Sequence, residues 1–137
     1  MANRCGRLIR KLTAAERAQY DHVPEQDLRR TILLRIPPVI GPYRGLTIGR
    51  LVMLAETVPA NKPSSLLAHE LVHVRQFREL GLPRFTWRYN SAFVAGLVRL
   101  RSWNKAYLAI PAEVEARQLT GKWAQRAHLR MEHQTGS

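Results

Sequence analysis

The chain has 137 residues, of which 45% are hydrophobic and 23% are charged. This composition excludes a disordered protein, and the length indicates one domain over residues 1–137 with a core that needs no disulfide bonds. The formal net charge of +12 attracts nucleic acid, ribosomes, anionic lipid or acidic proteins, but it does not select among them.

The N-terminal segment and the single cysteine favour a cytoplasmic location. Cys5 has no second cysteine with which to form an internal disulfide bond, which is typical of a reducing compartment. Residues 1–12 are basic and lack the continuous apolar run of a signal peptide. No apolar run in the chain approaches the roughly 18–20 residues that a membrane span needs. We therefore expect a soluble, cytoplasmic protein without a membrane span.

The first 40 residues predict a short helix and a strand. Thr13 and Glu16 have the spacing of a capping box, which predicts a helix over residues 14–20, and a partly helical stretch follows. The β-branched and aliphatic residues 31–36 predict a strand. Residues 1–40 together form an N-terminal extension that could cover a cleft, recruit a partner or complete the core.

The middle of the chain predicts a strand followed by a long helix. Residues 46–56 have the composition of a second strand, with Gly49 as a bulge or a point of close backbone approach. The serines before residue 65 are placed to cap a helix over residues 65–80, which Gly81 would end.

Two further helices are predicted after it. One covers residues 84–101, and the other begins near Pro111 and runs to about Leu129, because Pro is favoured in the first turn of a helix. Residues 130–137 are expected to be a frayed tail. The predicted fold is α+β and mostly helical, with a small sheet or hairpin packed on the helix over residues 65–80.

That helix contains the sequence HELVH, in which two histidines are four residues apart. On a helix, His69 and His73 lie on one face with Glu70 beside them, so both imidazoles could bind one Zn²⁺ ion. The adjacent carboxylate could take a proton from a water that the metal has activated. Such matches also occur by chance, but a buried Glu and two buried His would be costly without a function.

An open catalytic zinc site commonly has three protein ligands, so a third is expected downstream. Glu79 lies on the motif helix itself and cannot reach the same ion. Candidates close to the C-terminus are expected to be solvated or frayed, and they are His128, Glu132 and His133. The remaining candidates are Glu113 and Glu115, which the residues alone do not distinguish.

The chain resembles the gluzincin metallopeptidases, in which H-E-x-x-H on one helix is joined by a glutamate from a later helix. The sequence EVEAR at residues 113–117 is similar to the E-x-E-A-D element of CaaX-prenyl-protease and heat-shock membrane peptidases. The resemblance implies that Glu113 is the third zinc ligand and that Ala116 lets the two helices approach. Arg117 stands where that element has Asp.

A closer likeness is to small bacterial zincin-like domains of unknown function. These place an A-x-T-x-G-x-x-[IV] strand shortly before an L-A-H-E-L-x-H-x-x-Q helix, and residues 45–76 follow that arrangement through Gln76. The resemblance implies a minimal metallopeptidase core with one zinc ion per chain, held by His69, His73 and Glu113, and with Glu70 as the general base.

The same likeness implies an edge strand that could pair with an extended peptide substrate. The residues of that strand are Leu46, Thr47, Ile48 and Gly49. Gln76 and Glu115 are candidates for a supporting role around the metal ligands, and a solvated or capping role for Gln76 is an open alternative. No stabiliser of a developing oxyanion can be assigned, although Tyr89 and Tyr107 are candidates.

The sequence is compatible with three functions. The first is a zinc-dependent endopeptidase. The second is a zincin fold whose metal is structural or whose activity is lost, and which serves as a binding module. The third is a basic protein that binds nucleic acid or ribosomes, since aromatic and basic residues alternate over residues 84–107. The presence of Glu70 favours the peptidase, because a purely structural metal site has no need of that carboxylate.

Overall fold

The computed structural model describes residues 8–37, 44–59 and 62–135, with side chains of the last helix described through residue 128. These residues form a mixed sheet and six helices, which confirms the predicted α+β class. The strands are β1 (Ile9–Lys11), β2 (Ile32–Arg35), β3 (Gly45–Ile48) and β4 (Leu51–Leu54). The helices are α1 (Ala14–Gln19), α2 (Glu25–Arg30), α3 (Ser65–Leu80), α4 (Leu82–Leu100), α5 (Trp103–Ala109) and α6 (Pro111–Thr135).

The four strands lie in the order β1-β2-β4-β3. The two central strands, β2 and β4, are parallel, and each outer strand is antiparallel to its neighbour. Helix α3 packs against β3 and β4 on one side and against α6 and α4 on the other. The motif helix is therefore the centre of the fold, and β3 is an edge strand directly beside it.

The prediction of one strand over residues 46–56 is wrong, because the segment is a β-hairpin. Strand β3 ends at Ile48 and β4 begins at Leu51, and these two residues are paired across the turn. Gly49 has a φ of +64°, a left-handed conformation that Gly adopts without a steric penalty and that tight hairpin loops require. Gly49 is a turn residue and not a bulge.

The N-terminal residues 8–37 complete the core. They supply β1 and β2, half of the sheet, and they bury Tyr20 and Leu28 fully. The predicted capping box is confirmed, since the Thr13 hydroxyl accepts from the Glu16 N–H and the Glu16 carboxylate accepts from the Thr13 N–H.

The helical part differs from the prediction mainly in one added element. Helix α4 starts directly after Gly81 and ends at Leu100, and the residue that caps it, Arg101, has a φ of +51°. Ser102 then caps α5, a helix too short for its periodicity to be visible in the sequence. Helix α6 continues beyond Leu129 to Thr135. No described helix combines the length and the apolar character needed to cross a membrane.

A buried ion pair joins the start of the chain to α1. The Arg10 guanidinium donates to both carboxylate oxygens of Glu16, at 2.7 and 2.9 Å, and also to the carbonyl of Val58 at 2.9 Å. Burial raises the pKa of Glu16, but the bonds from Arg10 and Thr13 outweigh that effect and hold the pKa below its ordinary value. The charged form of Glu16 therefore stabilises the fold.

We predict that Arg10→Met lowers the free energy of unfolding by about 3 kcal/mol at neutral pH, because it leaves a buried carboxylate without a counter-charge. In the wild type, the stabilisation that charged Glu16 provides is fully present above the pKa of an unfolded Glu, about 4.3. This stabilisation is lost as the pH falls through the pKa of Glu16 in the folded state, which is lower. The difference in the free energy of unfolding between variant and wild type, measured by urea denaturation, should therefore become smaller towards acid pH.

Arg29→Met is the matched control for this prediction. It removes an exposed pair with Glu25 and should change the free energy of unfolding by about 0.5 kcal/mol or less. Equal losses for the two variants at all pH values would contradict the stabilising role of the buried pair.

Candidate metal centre

Helix α3 buries polar side chains among apolar ones. Ser64 caps its first turn by accepting from the Leu67 N–H, and the fully buried Leu67 and Leu71 anchor the helix in the core. Glu70 and His73 are each only 5% exposed, so their polar groups are removed from bulk water. Polar groups buried in this way need partners from neighbouring elements.

Helix α6 provides a carboxylate to both histidines. The Glu113 Oε2 atom lies 2.9 Å from His69 Nε2, and its Oε1 atom lies 3.1 Å from His73 Nε2. Glu113 occupies the first turn of α6, which begins at Pro111, and the N-terminal end of a helix favours a negative charge. The structure thus brings the three predicted ligands together around one point.

The donor set fits a zinc ion. His69, Glu70 and His73 each place a possible ligand atom within 4.8 Å of the others. The Nε2 atom of His73 and the Oε2 atom of Glu70 are buried without a hydrogen-bond partner, although the first is close to Glu113. Two imidazoles with one carboxylate are ligands that Zn²⁺ favours, and a cation would offset the two buried carboxylates.

The titration behaviour of the two carboxylates differs. Burial raises the pKa of Glu113, but the two imidazoles and the Tyr89 hydroxyl outweigh this and hold that pKa well below its usual range. Burial raises the pKa of Glu70, and the nearby histidines do not offset it. Glu113 is therefore the more acidic of the two groups and Glu70 the more basic.

Gln76 fixes the orientation of His73. Its side-chain oxygen lies 2.7 Å from His73 Nδ1, while its amide nitrogen donates to the Ala112 carbonyl and to Glu115 Oε1. Because the amide nitrogen faces two acceptors, its oxygen faces the imidazole, so Nδ1 carries the proton. Nε2 would consequently be the nitrogen through which His73 binds a metal ion.

The predicted pair Glu113 and Glu115 is divided between two roles. Glu115 contacts Gln76 and forms an ion pair with Arg75, and it does not contact the imidazoles. Arg117 donates to the Leu108 carbonyl at 2.6 Å and does not contact the imidazoles either. The carboxylate that the E-x-E-A-D element has at residue 117 is thus not needed to orient His73, because Gln76 does so.

Three contacts at the site have no signal in the sequence. The Tyr89 hydroxyl donates to Glu113 Oε1 at 2.8 Å, and the Thr47 hydroxyl donates to the Glu70 carbonyl at 3.2 Å. At Gly45, an added Cβ would lie 3.1 Å from the Glu70 side chain, so this glycine lets β3 approach the carboxylate closely. All three join residues distant in sequence, which a local pattern cannot reveal.

A cavity of about 450 Å³ opens beside Glu70, His73 and Glu113. Six of its fourteen lining residues are aromatic and come from three helices, namely Phe77, Phe85, Tyr89, Phe93, Trp103 and Tyr107. Leu46 and Thr47 line the same cavity from β3. Ile48 is exposed at the end of the strand, and Gly49 lines a separate depression, so these two predicted substrate-binding residues are not part of the cavity wall.

Comparison with protein-family models, with curated proteins and with solved structures found no match. The likeness to gluzincins and to the small zincin-like domains therefore depends on the residues and geometry described above. No described helix other than α3 and α6 contributes an acidic or histidine side chain to the cluster.

We predict that Gln76→Met weakens zinc binding by about 10–100-fold, because His73 loses the acceptor that fixes its tautomer and orientation. The dissociation constant can be measured by competition with a zinc chelator, with circular dichroism to verify folding. Gln118→Met, an exposed substitution on α6, is the matched control. Identical constants for both variants would show that Gln76 does not position the ligand.

Proposed function

We propose that this protein is a zinc-dependent metallopeptidase. The observation that carries the proposal is the position of Glu113, whose carboxylate lies between two imidazole Nε2 atoms at the wall of an open cavity. Zinc bound by His69, His73 and Glu113 would act as a Lewis acid that polarises a substrate carbonyl and activates a water. The protonated Nδ1 of His73, held by Gln76, supports this ligand set.

Glu70 is the proposed general base. Its carboxylate is buried, lines the cavity and has an oxygen without a hydrogen-bond partner. Burial raises the pKa of Glu70, which makes the carboxylate a better proton acceptor at neutral pH. Glu70 would remove the proton of the attacking water and pass it to the nitrogen of the leaving amine.

The proposed substrate is an extended peptide that pairs with β3. An edge strand has unpaired N–H and C=O groups that an extended chain can complete. Leu46 and Thr47 bring this edge to the cavity, where the aromatic wall would receive an apolar side chain of the substrate. The cytoplasmic location is also a proposal and rests on the single cysteine, which is typical of a reducing compartment.

Zinc content per chain tests the ligand set. Elemental analysis of protein supplied with zinc at neutral pH should give close to one equivalent for wild type and almost none for His69→Ala or Glu113→Ala. Glu115→Ala is the matched control, two residues from Glu113, and should retain the metal. Retention by Glu113→Ala together with loss by Glu115→Ala would overturn the assignment.

Peptide cleavage tests the reaction itself. With a mixed peptide library and mass-spectrometric readout, Glu70→Gln should keep its zinc and lose about 10²–10⁴-fold in rate, since it removes the general base. Cleavage sites should be enriched in bulky apolar residues on one side of the scissile bond. Glu79→Gln, an exposed change on the same helix, is the control.

Two results would contradict the peptidase proposal. Wild type that binds zinc but cleaves no peptide would favour a binding module, and equal rates for Glu70→Gln and wild type would exclude the proposed base.

A further inference from the structure

The α4–α5 segment carries a concentrated positive charge. Residues 82–109 contain five basic side chains and no acidic ones. These are Arg84, Arg88, Arg99, Arg101 and Lys105. Within the part of the chain that the structure describes, none of them forms an ion pair. This segment therefore carries five of the 22 basic residues of the chain and none of its 10 acidic ones.

The same helix exposes large apolar side chains. Trp87, Val94 and Val98 are 73%, 57% and 74% exposed, although α4 buries Phe85 and Gly96 on its other side. The spacings of seven and four residues place the three exposed side chains on one face of the helix. Together with the flanking basic residues Arg84, Arg88 and Arg99, they define what we call the α4 surface.

The basic residues and the exposed apolar residues of α4 form two neighbouring strips along the helix. Arg84 and Arg88 are four residues apart, and Arg99 follows eleven residues after Arg88, which on a helix returns to nearly the same side. This basic strip lies next to the strip of Trp87, Val94 and Val98. A helix face of this kind, with tryptophan and aliphatic residues beside arginines, matches the interface between the headgroups and acyl chains of a bilayer.

We propose that the α4 surface binds peripherally to an anionic lipid bilayer. The exposed apolar strip would enter the boundary between headgroups and acyl chains, while the arginines would contact lipid phosphates. Charge complementarity selects an anionic membrane over a neutral one. This inference concerns residues outside the metal centre and does not depend on the proposed peptidase activity.

Other occupants fit this surface less well. A symmetric contact with a second copy would bring the two sets of arginines towards each other, which like charges oppose. Single-stranded nucleic acid binds through several aromatic faces on which successive bases stack, but Trp87 is the one aromatic residue of the α4 surface, and Val94 and Val98 provide no such face. Two further aromatic residues of α4, Tyr89 and Phe93, line the cavity and are not part of the α4 surface.

Binding of a bilayer to the α4 surface would also affect access to the cavity. Trp103 is 63% exposed and at the same time lines the cavity, where it contacts Phe93 edge to face. Helix α5 packs closely on α4, because an added Cβ at Gly96 would lie 3.2 Å from Ala106. The rim of the cavity is therefore built on the helix pair that carries the α4 surface.

Vesicle sedimentation tests the proposal with the full-length chain. Wild type should bind vesicles of equal parts phosphatidylcholine and phosphatidylglycerol at physiological salt, with a blue shift of tryptophan fluorescence, and should not bind pure phosphatidylcholine. Arg84→Gln with Arg88→Gln should weaken partition by about fivefold per residue removed. Trp87→Ser with Val98→Ser should weaken it about tenfold or more, because the inserted apolar area is lost.

Two double variants serve as matched controls. Arg30→Gln with Lys122→Gln removes the same charge elsewhere, and Leu8→Ser with Ile9→Ser removes exposed apolar residues from the region of β1. Both should retain most of the binding. Losses equal to those of the corresponding α4 variants would mean that overall charge or exposed apolar area in general accounts for the binding, and would overturn the proposal. Absence of vesicle binding would overturn it too, as would α4 variants that impair binding of RNA or an acidic peptide but not of vesicles.

Discussion

The contact of Glu113 with the imidazoles of His69 and His73 is the interaction on which the arrangement of the domain depends. It joins the first turn of α6 to the middle of α3, more than 40 residues earlier. Such a buried polar cluster is costly in a small core unless every group is compensated. Gln76 and Tyr89 supply the surrounding hydrogen bonds, which ties α3, α4 and α6 to one point.

The N-terminal half of the fold holds the motif helix from the opposite side. Arg78, at the end of α3, forms two hydrogen bonds with the fully buried Asp27 of α2. At the other end, the Tyr20 hydroxyl accepts from the backbone of Ser64, the residue that caps α3. Helix α3 is therefore fixed at both ends by residues that precede the β3–β4 hairpin. Its side chains Glu70 and His73 line the cavity.

Local spacing in the sequence accounts for what could be predicted. The i, i+4 relation of His69 and His73 is sufficient to place both on one face, and the capping box at Thr13 needs only neighbouring residues. The choice of Glu113 came from a resemblance and not from spacing. The approach of Gly45 to Glu70 could not be predicted, because it depends on tertiary packing. The hairpin at Gly49 is not visible in the sequence, because its two short strands together have the composition of one continuous strand.

The position of a bound metal ion separates a metal centre from a buried polar cluster most clearly, and a crystal grown with zinc would reveal it. Anomalous scattering at the zinc edge should show one peak bounded by the Nε2 atoms of His69 and His73 and by the Glu113 carboxylate. Gln76 should still contact His73 Nδ1. A peak at another site, or Glu113 still bonded to His69 with no metal between them in zinc-saturated crystals, would rule out this metal centre.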